Sequence, residues 1–520
     1  MIEVFMKVLT IREMKDLEAQ ADLSGVSYDT MMQNAGQNLA NWIENKFQEQ
    51  NKRIVLGLIG SGKNGSDTLI ALTQLVSHGW FCLAFCVKSR GQEDHFLEAF
   101  DKSGGLVVRE IDRIQGIIVH NPIILDGILG TGFQPPLEPD LETKLHILNQ
   151  YISSCHHPVV IAVDCPSGVN CDSGEVSTGV IKASYTACMG AVKAGLIKLP
   201  AFQFCGEFIY IDIGVSEEFA GINRIKTNLI EDKYILANIN KRQLDSHKGS
   251  FGRCAILAGS KKYPGAAFLA GKAAYLSGAG LVGIFSTQEL KRQFSGVLPE
   301  VVWWDMDQEC KEEGFLHSIS ALLIGPGLDH NVDSTLRFRK LIKHLQKHGN
   351  SQLMQIVFDA DGLRLLGGID NWWSKFPSNT ILTPHPGEMA ELIGLSVSEI
   401  QSSRWDIVKH YATKWNKIVL LKGALSVVAN PSGEMGVIPV ATSALATAGT
   451  GDILSGLIAG LCAQGNKAFE ASLIGAYIQA RAGKMLENKY NQTYTATASE
   501  VLAAIPLVFS SLKITGNQKF

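Results

Sequence analysis

The sequence predicts two α/β domains in tandem, each a mostly parallel sheet with helices on both faces. Three observations carry this. Apolar runs of strand length alternate with helix-period segments over most of the chain. Many of those runs end in a loop bearing Gly, Pro or Asp, as strands do at the ligand-binding edge of such sheets. At 520 residues the chain is too long for one core, and the rhythm breaks over Glu217 to Asp245, which places a boundary near residues 222–235.

Composition narrows the class. Apolar residues are 46% and charged residues 19%, which fits a soluble enzyme and excludes a disordered or fibrous chain. With 47 basic against 50 acidic residues and no long basic run, a nucleic-acid surface is not expected. The ten cysteines form no CxxC pair, and Cys82, Cys86, Cys254 and Cys462 sit in apolar runs, as small buried hydrophobes in a reducing cytoplasm would. Met1 to Thr10 has no apolar core behind a basic head, and the longest apolar run, near Ile453 to Ala463, is broken by glycine. Neither a signal peptide nor a membrane span is therefore expected.

In the first half, Thr10-Ile11-Arg12-Glu13 reads as a capping box with Leu9 and Met14 placed as a staple, so a helix is expected to about Asp22. Ser27 to Trp42 places Met31, Met32, Ala35 and Leu39 on one helical face. The strand Arg53 to Ile59 runs into Gly60-Ser61-Gly62-Lys63-Asn64-Gly65-Ser66-Asp67, with a helix after it to about His78. Strand, glycine loop and helix form the phosphate-binding opening of a doubly wound unit, without the GK[ST] of a P-loop. Further strands are expected at Phe81 to Val87, Leu106 to Glu110, Ile123 to Asp126, Val159 to Asp164, Tyr185 to Met189 and Phe208 to Asp212. Helices near Glu93 to Lys102 and Asp140 to Ser154 separate several of them. Two strands end in a carboxylate and a loop, Asp126 to Gly132 and Asp164 to Gly168. Each Asp could simply cap a turn, but three glycine-rich loops at one sheet edge favour a site.

In the second half the signals restart at His247 to Arg253 and the strand Cys254 to Ala258. Tyr263-Pro264-Gly265-Ala266-Ala267 opens an Ala-rich helix that ends at Gly278-Ala279-Gly280, and Leu281 to Phe285 is the next strand. Apolar strands then lead into Gly325-Pro326-Gly327, Asp359-Ala360-Asp361-Gly362, Thr383-Pro384-His385-Pro386-Gly387-Glu388 and Lys422-Gly423. His385, fixed between prolines, is either a structural histidine or a hydrogen-bond partner for substrate; no metal-type partners lie near it. Lys422 is placed to meet phosphate as a point charge. Ala448-Gly449-Thr450-Gly451-Asp452 feeds a buried helix, whose first-turn N–H groups suit an anion. Asp452 reads in two ways, as a cap on its own helix or as a general base for a substrate hydroxyl.

Asn34-Ala35-Gly36, Gly60 to Asp67, Asp126 to Gly132, Asp164 to Gly168 and Lys193-Ala194-Gly195-Leu196 resemble the NAD(P)H-hydrate epimerase domain. That resemblance implies a Rossmann-like three-layer domain over residues 1–222 and a potassium ion at Asn64, Asp126 and Ser167. It also implies hydrated nucleotide at Lys63, Asn64, Gly65, Ser66, Asp67, Gly130, Thr131, Gly132 and Asp164, with Asp126 taking part in catalysis. HKGSFGR, YPGAA, SGAGLV, GPG, DADGL, LTPHPGE, LKG and AGTGD, in that order, resemble the ADP/ATP-dependent NAD(P)H-hydrate dehydratase. The implied fold is ribokinase-like over residues 235–515. Substrate is implied at Ala266, Gly327, His385 and Asp452, with Asp452 catalytic, and adenine nucleotide at Lys422, Gly423, Ala424, Leu425, Ser426, Gly449 and Gly451.

The expected protein is a bifunctional cytoplasmic repair enzyme, a homo-oligomer using ADP or ATP with Mg²⁺, and K⁺ in its first domain. The rival is a ribokinase-like kinase of a vitamin-sized alcohol fused to a non-catalytic binding module. Two departures from the family stand out. Thr442-Ser443-Ala444 replaces an Asn-Pro-Gly run, and Lys63, Ser66 and Thr68 replace Asn, Gly and Gly. The second set predicts an epimerase weakened by steric cost and less dependent on potassium, since Lys63 adds a charge near the ion.

Overall fold

Alternation of side chains along parallel strands buries both faces of a sheet, and this happens in two separate units, Val4–Thr227 and Asn228–Phe520. A computed structural model describes residues 6–49, 53–90, 94–111, 114, 122–215, 221–309, 314–348 and 354–512.

The first unit contains β1 (Val8–Leu9), β2 (Ile54–Ile59), β3 (Phe81–Cys86), β4 (Leu106–Val108), β5 (Ile123–Gly127), β6 (Val159–Val163), β7 (Tyr185–Met189), β8 (Val192–Lys193) and β9 (Glu207–Ile211). Seven of them form one sheet in the order β4-β3-β2-β5-β6-β7-β9, all pairs parallel, while β1 pairs with β8 apart from it. Val55, Ile59 and Leu125 enter the core on one face, and Leu56, Leu58 and Ile124 the core on the other. Thr10 caps the helix Ile11–Leu23 in a reciprocal box with Glu13, and Leu9 and Met14 are both buried beside it. The helix expected from Glu93 starts at His95 with Asp94 as its cap; Glu93 itself lies outside the described residues.

The second unit contains β10 (Thr227–Leu229), β11 (Arg253–Leu257), β12 (Leu281–Phe285), β13 (Val302–Trp304), β14 (Ala321–Ile324), β15 (Gln355–Phe358), β16 (Ile381–Leu382), β17 (Ile418–Leu421), β18 (Val427–Ala429) and β19 (Met435–Val437). They form one sheet ordered β10-β19-β18-β17-β16-β15-β14-β11-β12-β13. From β17 across to β13 the pairs are parallel, and β18 and β19 close that side as an antiparallel hairpin. The stretch that reads as linker contributes the edge strand β10; three residues are too few for a period to show. Residues 217–220 of that stretch, and residues 1–5 of the leader reading, lie outside the described residues.

The helix Thr450–Ala463 is buried along almost its whole length against the helix Pro264–Leu276. Gly456 faces Ala270 and Gly460 faces Ala274, so the two helices run in the same sense with their backbones close. A Cβ on Gly456 would fall 2.3 Å from the Ala270 carbonyl oxygen. Gly456→Val is therefore expected to cost ~1–3 kcal/mol or more by forcing the helices apart, read as a lower urea midpoint for the second unit. An unchanged midpoint would mean the contact is looser than it looks.

Two candidate active sites

In each sheet the strand connections diverge at one place, between β11 and β14 in the second unit and between β2 and β5 in the first. Loops leaving neighbouring strands in opposite directions open a crevice at the carboxyl edge. The residues singled out in the sequence gather there.

In the second unit the loops after β11 and β14 meet. Gly327, at φ 60°, lies so close that a Cβ on it would come 2.6 Å from the Ala266 Cβ in the first turn of its helix. The helix starting at Thr450 brings its N-terminus alongside. Its cap residue is Gly449, at φ 95°, with no side-chain cap. The N–H groups of Gly451 and Asp452 thus have no carbonyl ahead of them and are left for a ligand. Asp452 is not the cap. Its carboxylate has no hydrogen bond or ion pair among the described residues. Burial, followed by the charge of Asp359, pushes its pKa up to about 7 against the pull of Lys422.

Lys422 stands across from that helix end, its Nζ 2.8 Å from Asp359 Oδ1 and 3.5 Å from Glu388 Oε2. A Cβ on Gly451 would lie 3.6 Å from the same Nζ. Burial alone would lower the ammonium's pKa, but Asp359 and Glu388 outweigh it and raise it, so Lys422 stays charged. Asp359 is 1% exposed and also accepts from the Thr383 hydroxyl at 2.8 Å. The Lys422 N–H donates to the Pro384 carbonyl at 2.9 Å, which joins the loops after β16 and β17. Residues 422–426 are fastened from below by Arg404, whose guanidinium donates to the carbonyls of Leu421 and Lys422 at 3.2 and 3.1 Å. Gly423 and Ala424 are exposed there, while Leu425 turns into the core. Nothing in the sequence pointed to Arg404, because it sits on a different helix, Arg404–Trp415.

His385 does the structural job with one ring nitrogen, and the other, Nε2, lies 3.4 Å from Glu388 Oε1. Its Nδ1 accepts from the N–H groups of Gly387 and Glu388 at 3.0 and 3.2 Å, capping the helix Pro386–Ile393. The ring proton of the neutral imidazole then belongs on Nε2, on a half-exposed side chain. Thr442-Ser443-Ala444 forms a capped 3-10 turn, with the Thr442 hydroxyl accepting from the Ala444 N–H at 3.2 Å, so the missing proline leaves an ordered path. Among the described residues no cluster of three His, Cys, Asp or Glu could hold a metal.

In the first unit residues 63–67 are not loop but the first turns of the helix Lys63–Ser77, capped by Gly62. Gly60 and Gly65 are required by close approach: a Cβ on Gly60 would sit 1.8 Å from the Ile128 carbonyl oxygen, and one on Gly65 2.2 Å from that of Gly60. Asn64 donates to the Val163 carbonyl at 2.6 Å and packs its Oδ1 over Gly130. Thr131 is half-buried and a Cβ on Gly132 would meet open space, so this loop faces outward. Asp126 is fully buried; its oxygens accept from the Ser167 N–H at 2.8 Å and hydroxyl at 2.5 Å. The implied catalytic role for Asp126 does not fit this burial, because both oxygens are turned inward. No cationic side chain pairs with it among the described residues, and burial raises its pKa against the Ser167 hydrogen bonds. A sealed carboxyl without a counter-charge, grouped with the oxygens of Ser167 and Asn64, is a set that fits a monovalent cation.

Asp164 leaves β6 at φ 67°, strained for a residue with a Cβ, and is held by the buried ammonium of Lys193. Lys193 also donates to the carbonyls of Met189 and Ala191, both at 3.1 Å. Asp67 is 8% exposed. Burial and then Asp164 push its pKa well above the usual carboxylate value, which favours the protonated form of Asp67.

The three replaced positions cost little. None of them has positive φ. The Ser66 hydroxyl accepts from Arg90 at 2.8 Å, and the Thr68 hydroxyl donates to the Asn64 carbonyl at 2.7 Å. Lys63 lies 4.7 Å from the Tyr28 ring centroid, and the carboxylates that feel it are Glu18 and Asp67, not Asp126. The expected steric penalty and the expected clash with the ion both lack a physical basis in this geometry.

Comparison with known proteins covers both units. The family model for NAD(P)H-hydrate dehydratase matches residues 254–506, and that for the YjeF-related protein N-terminus matches residues 28–195. The bifunctional NAD(P)H-hydrate repair enzyme Nnr of Moorella thermoacetica is 30% identical over 98% of this chain and 97% of its own. The Coxiella burnetii protein of the same name is 30% identical over 91% of this chain and 93% of its own. A solved ADP/ATP-dependent NAD(P)H-hydrate dehydratase from Bacillus subtilis, co-crystallised with ATP/Mg²⁺, is 30% identical over 54% of this chain and 97% of its own, with a TM-score of 0.48.

The proton affinity of Asp452 is testable without any substrate. A carboxyl at about 7 in the folded chain, against an ordinary 3.8, binds its proton more tightly when folded. Its contribution to stability is then whole only below the unfolded value of 3.8 and is lost as pH rises from there through about 7. Asp452→Asn should raise the melting temperature at pH 8.5 and leave it nearly unchanged at about pH 3. Equal shifts at both pH values would contradict the raised affinity.

Proposed function

The chain belongs to the family of bifunctional NAD(P)H-hydrate repair enzymes, and on that premise we propose how its residues divide the two reactions. It joins an NAD(P)H-hydrate epimerase to a nucleotide-dependent NAD(P)H-hydrate dehydratase, and the family models and full-length relatives named above do not favour the kinase alternative.

For dehydration the task is to remove the hydroxyl at C6 of the hydrated nicotinamide, a poor leaving group until phosphorylated. Asp452 takes the hydroxyl proton as its oxygen attacks the terminal phosphorus of ADP or ATP. The bond to the nucleotide breaks, and the N–H groups of Gly451 and Asp452, with Lys422, hold the transferring phosphoryl group. Phosphate then leaves C6, and loss of a C5 proton restores the dihydronicotinamide. Mg²⁺ would come with the nucleotide and shield its phosphate charge. Ala266, Gly327 and the Nε2 side of His385 position the substrate, and residues 422–426 the nucleotide. The observation that carries this reading is the unpaired Asp452 carboxylate, tuned to about 7, at the open end of a helix.

For epimerisation the loops around Asn64, Gly130 and Asp164 bind hydrated nucleotide of either configuration; Asp67, whose proton burial favours, protonates the C6 hydroxyl as the C6–O bond breaks, and the water released adds back to the opposite face of the C6 cation and returns the proton to Asp67. Asn64, Asp126 and Ser167 would hold a potassium ion, which would supply the positive charge that Asp126 lacks. Asp126 acts as an ion-holding and positioning residue. Nine described cysteines are free thiols, in keeping with a reducing compartment, and no helix of the described residues is long and apolar enough to cross a membrane.

Asp452→Asn is expected to lower dehydration by ~10²–10⁴-fold. In the parent, kcat/KM for dehydration should rise with pH through about 7, because the base works deprotonated. Recovery of NADH absorbance from its S-hydrate reads both, and near-normal turnover by the variant would remove Asp452 from the chemistry. The first unit is read with R-hydrate. Epimerisation above the spontaneous rate should be faster in K⁺ than in Li⁺ at equal ionic strength and lost in Asp126→Ala. Indifference to the cation would reject the ion site.

A further inference from the structure

The second unit has a cleft of about 730 Å³ between the helices Asp361–Gly367 and Pro386–Ile393, with the turn Trp372–Lys375 as its far wall. His385 and Glu388 line its near end, and Glu388 is the residue that reaches Lys422. The cleft therefore shares His385 and Glu388 with the site described above. Its volume is that of a small-molecule site, ~300–1,000 Å³. With a hydrated nicotinamide at Asp452, the remainder of a dinucleotide has to lie along a surface that starts there.

The lining is specific in character. Trp373 is half-buried and set edge-on to Trp372 at 5.8 Å, and Trp372 packs on Trp415 at 5.1 Å, so the outer indole is a fixed platform. Asp361, Asp370 and Glu391 contribute carboxylates. Arg364 is the one guanidinium in the lining and is already engaged: it bonds to His330, and its Nε lies 3.5 Å from Glu391. A carboxylate accepts a hydrogen bond from a ribose 2′-hydroxyl, whereas a 2′-phosphate needs a free arginine and is repelled by fixed negative charge.

We propose that this cleft takes the adenosine half of the hydrated dinucleotide and that its carboxylates select hydrated NADH over hydrated NADPH. The inference rests on the dehydratase reading above and adds a specificity to it. Purine stacks on Trp373, and the 2′-hydroxyl meets the Asp370 and Glu391 end.

The test uses the full chain with saturating ADP or ATP and Mg²⁺, and compares kcat/KM for the S-hydrates of NADH and NADPH. The expected ratio favours NADH hydrate by ~10-fold or more. Asp370→Asn combined with Glu391→Gln should shrink that ratio at least ~3-fold by lowering KM for the phosphorylated substrate, since two negative charges are removed and Arg364 is released. Both positions are exposed, so folding is not at stake. Trp373→Ala should raise KM for both substrates more than it lowers kcat. A parent ratio within ~2-fold of one, or a ratio the double variant does not move, would overturn the selectivity. Dehydration of neither substrate would instead remove the dehydratase reading, and the inference with it.

Discussion

Burial of charge at the carboxyl edge of the second sheet is the constraint on which its site depends. Asp359 ends β15 almost without solvent, and an isolated carboxylate there would be costly. Lys422, arriving from β17, neutralises it and is in turn kept charged by Asp359 and Glu388. The balance is set so that Asp452 feels more negative than positive charge. Burial first, and then the charge of Asp359, raise its pKa to about 7, where a base is both deprotonated often enough and basic enough to work. Removing Lys422 would therefore disturb three carboxylates at once, and a phosphate contact and a structural counter-ion are here the same ammonium.

The first unit uses the same edge with the opposite outcome. Asp164 has its lysine in Lys193, wholly buried and bonded to two carbonyls as well. Asp126 has none and faces inward, so it organises Ser167 and the 128–132 loop instead of meeting substrate. Asp67, buried and close to the Asp164 charge, has its pKa raised. The divergence of strand connections makes both crevices. What each can do is decided by which carboxylates have a cation beside them.

Much of this was legible in the sequence, because strands in doubly wound units announce themselves as apolar runs closed by glycine. β2, β7, β12 and β17 lie where the runs predict, and the Thr10 and Glu13 box forms as its spacing requires. Glycines demanded by close approach, such as Gly60 and Gly327, were equally visible. What escaped were short or non-local features. The edge strand β10 is hidden in a polar stretch, and β18 and β19 are three residues each. Arg90 and Arg404 fasten the two nucleotide-facing loops from elements distant in sequence, and no local pattern marks them. Ser66 and Thr68 looked costly only because residues 63–67 read as a loop; on a helix, glycine's freedom is not needed there.

The choice between cap and base at Asp452 shows why the sequence left it open. An Asp three residues into a helix and an Asp at the cap differ by three positions, within the error of a boundary read from sequence. Gly449 takes the cap with positive φ and no side chain, which shifts Asp452 into the first turn and frees its carboxylate. The same shift aims the Gly451 and Asp452 N–H groups outward, so cradle and base come from one backbone conformation. A side chain at Gly449 would meet Leu269 at 2.7 Å and Ala498 at 3.0 Å, and would also oppose the φ of 95°. Gly449 thus sets the helix start, the helix start sets the anion site, and the burial that follows sets the proton affinity of Asp452.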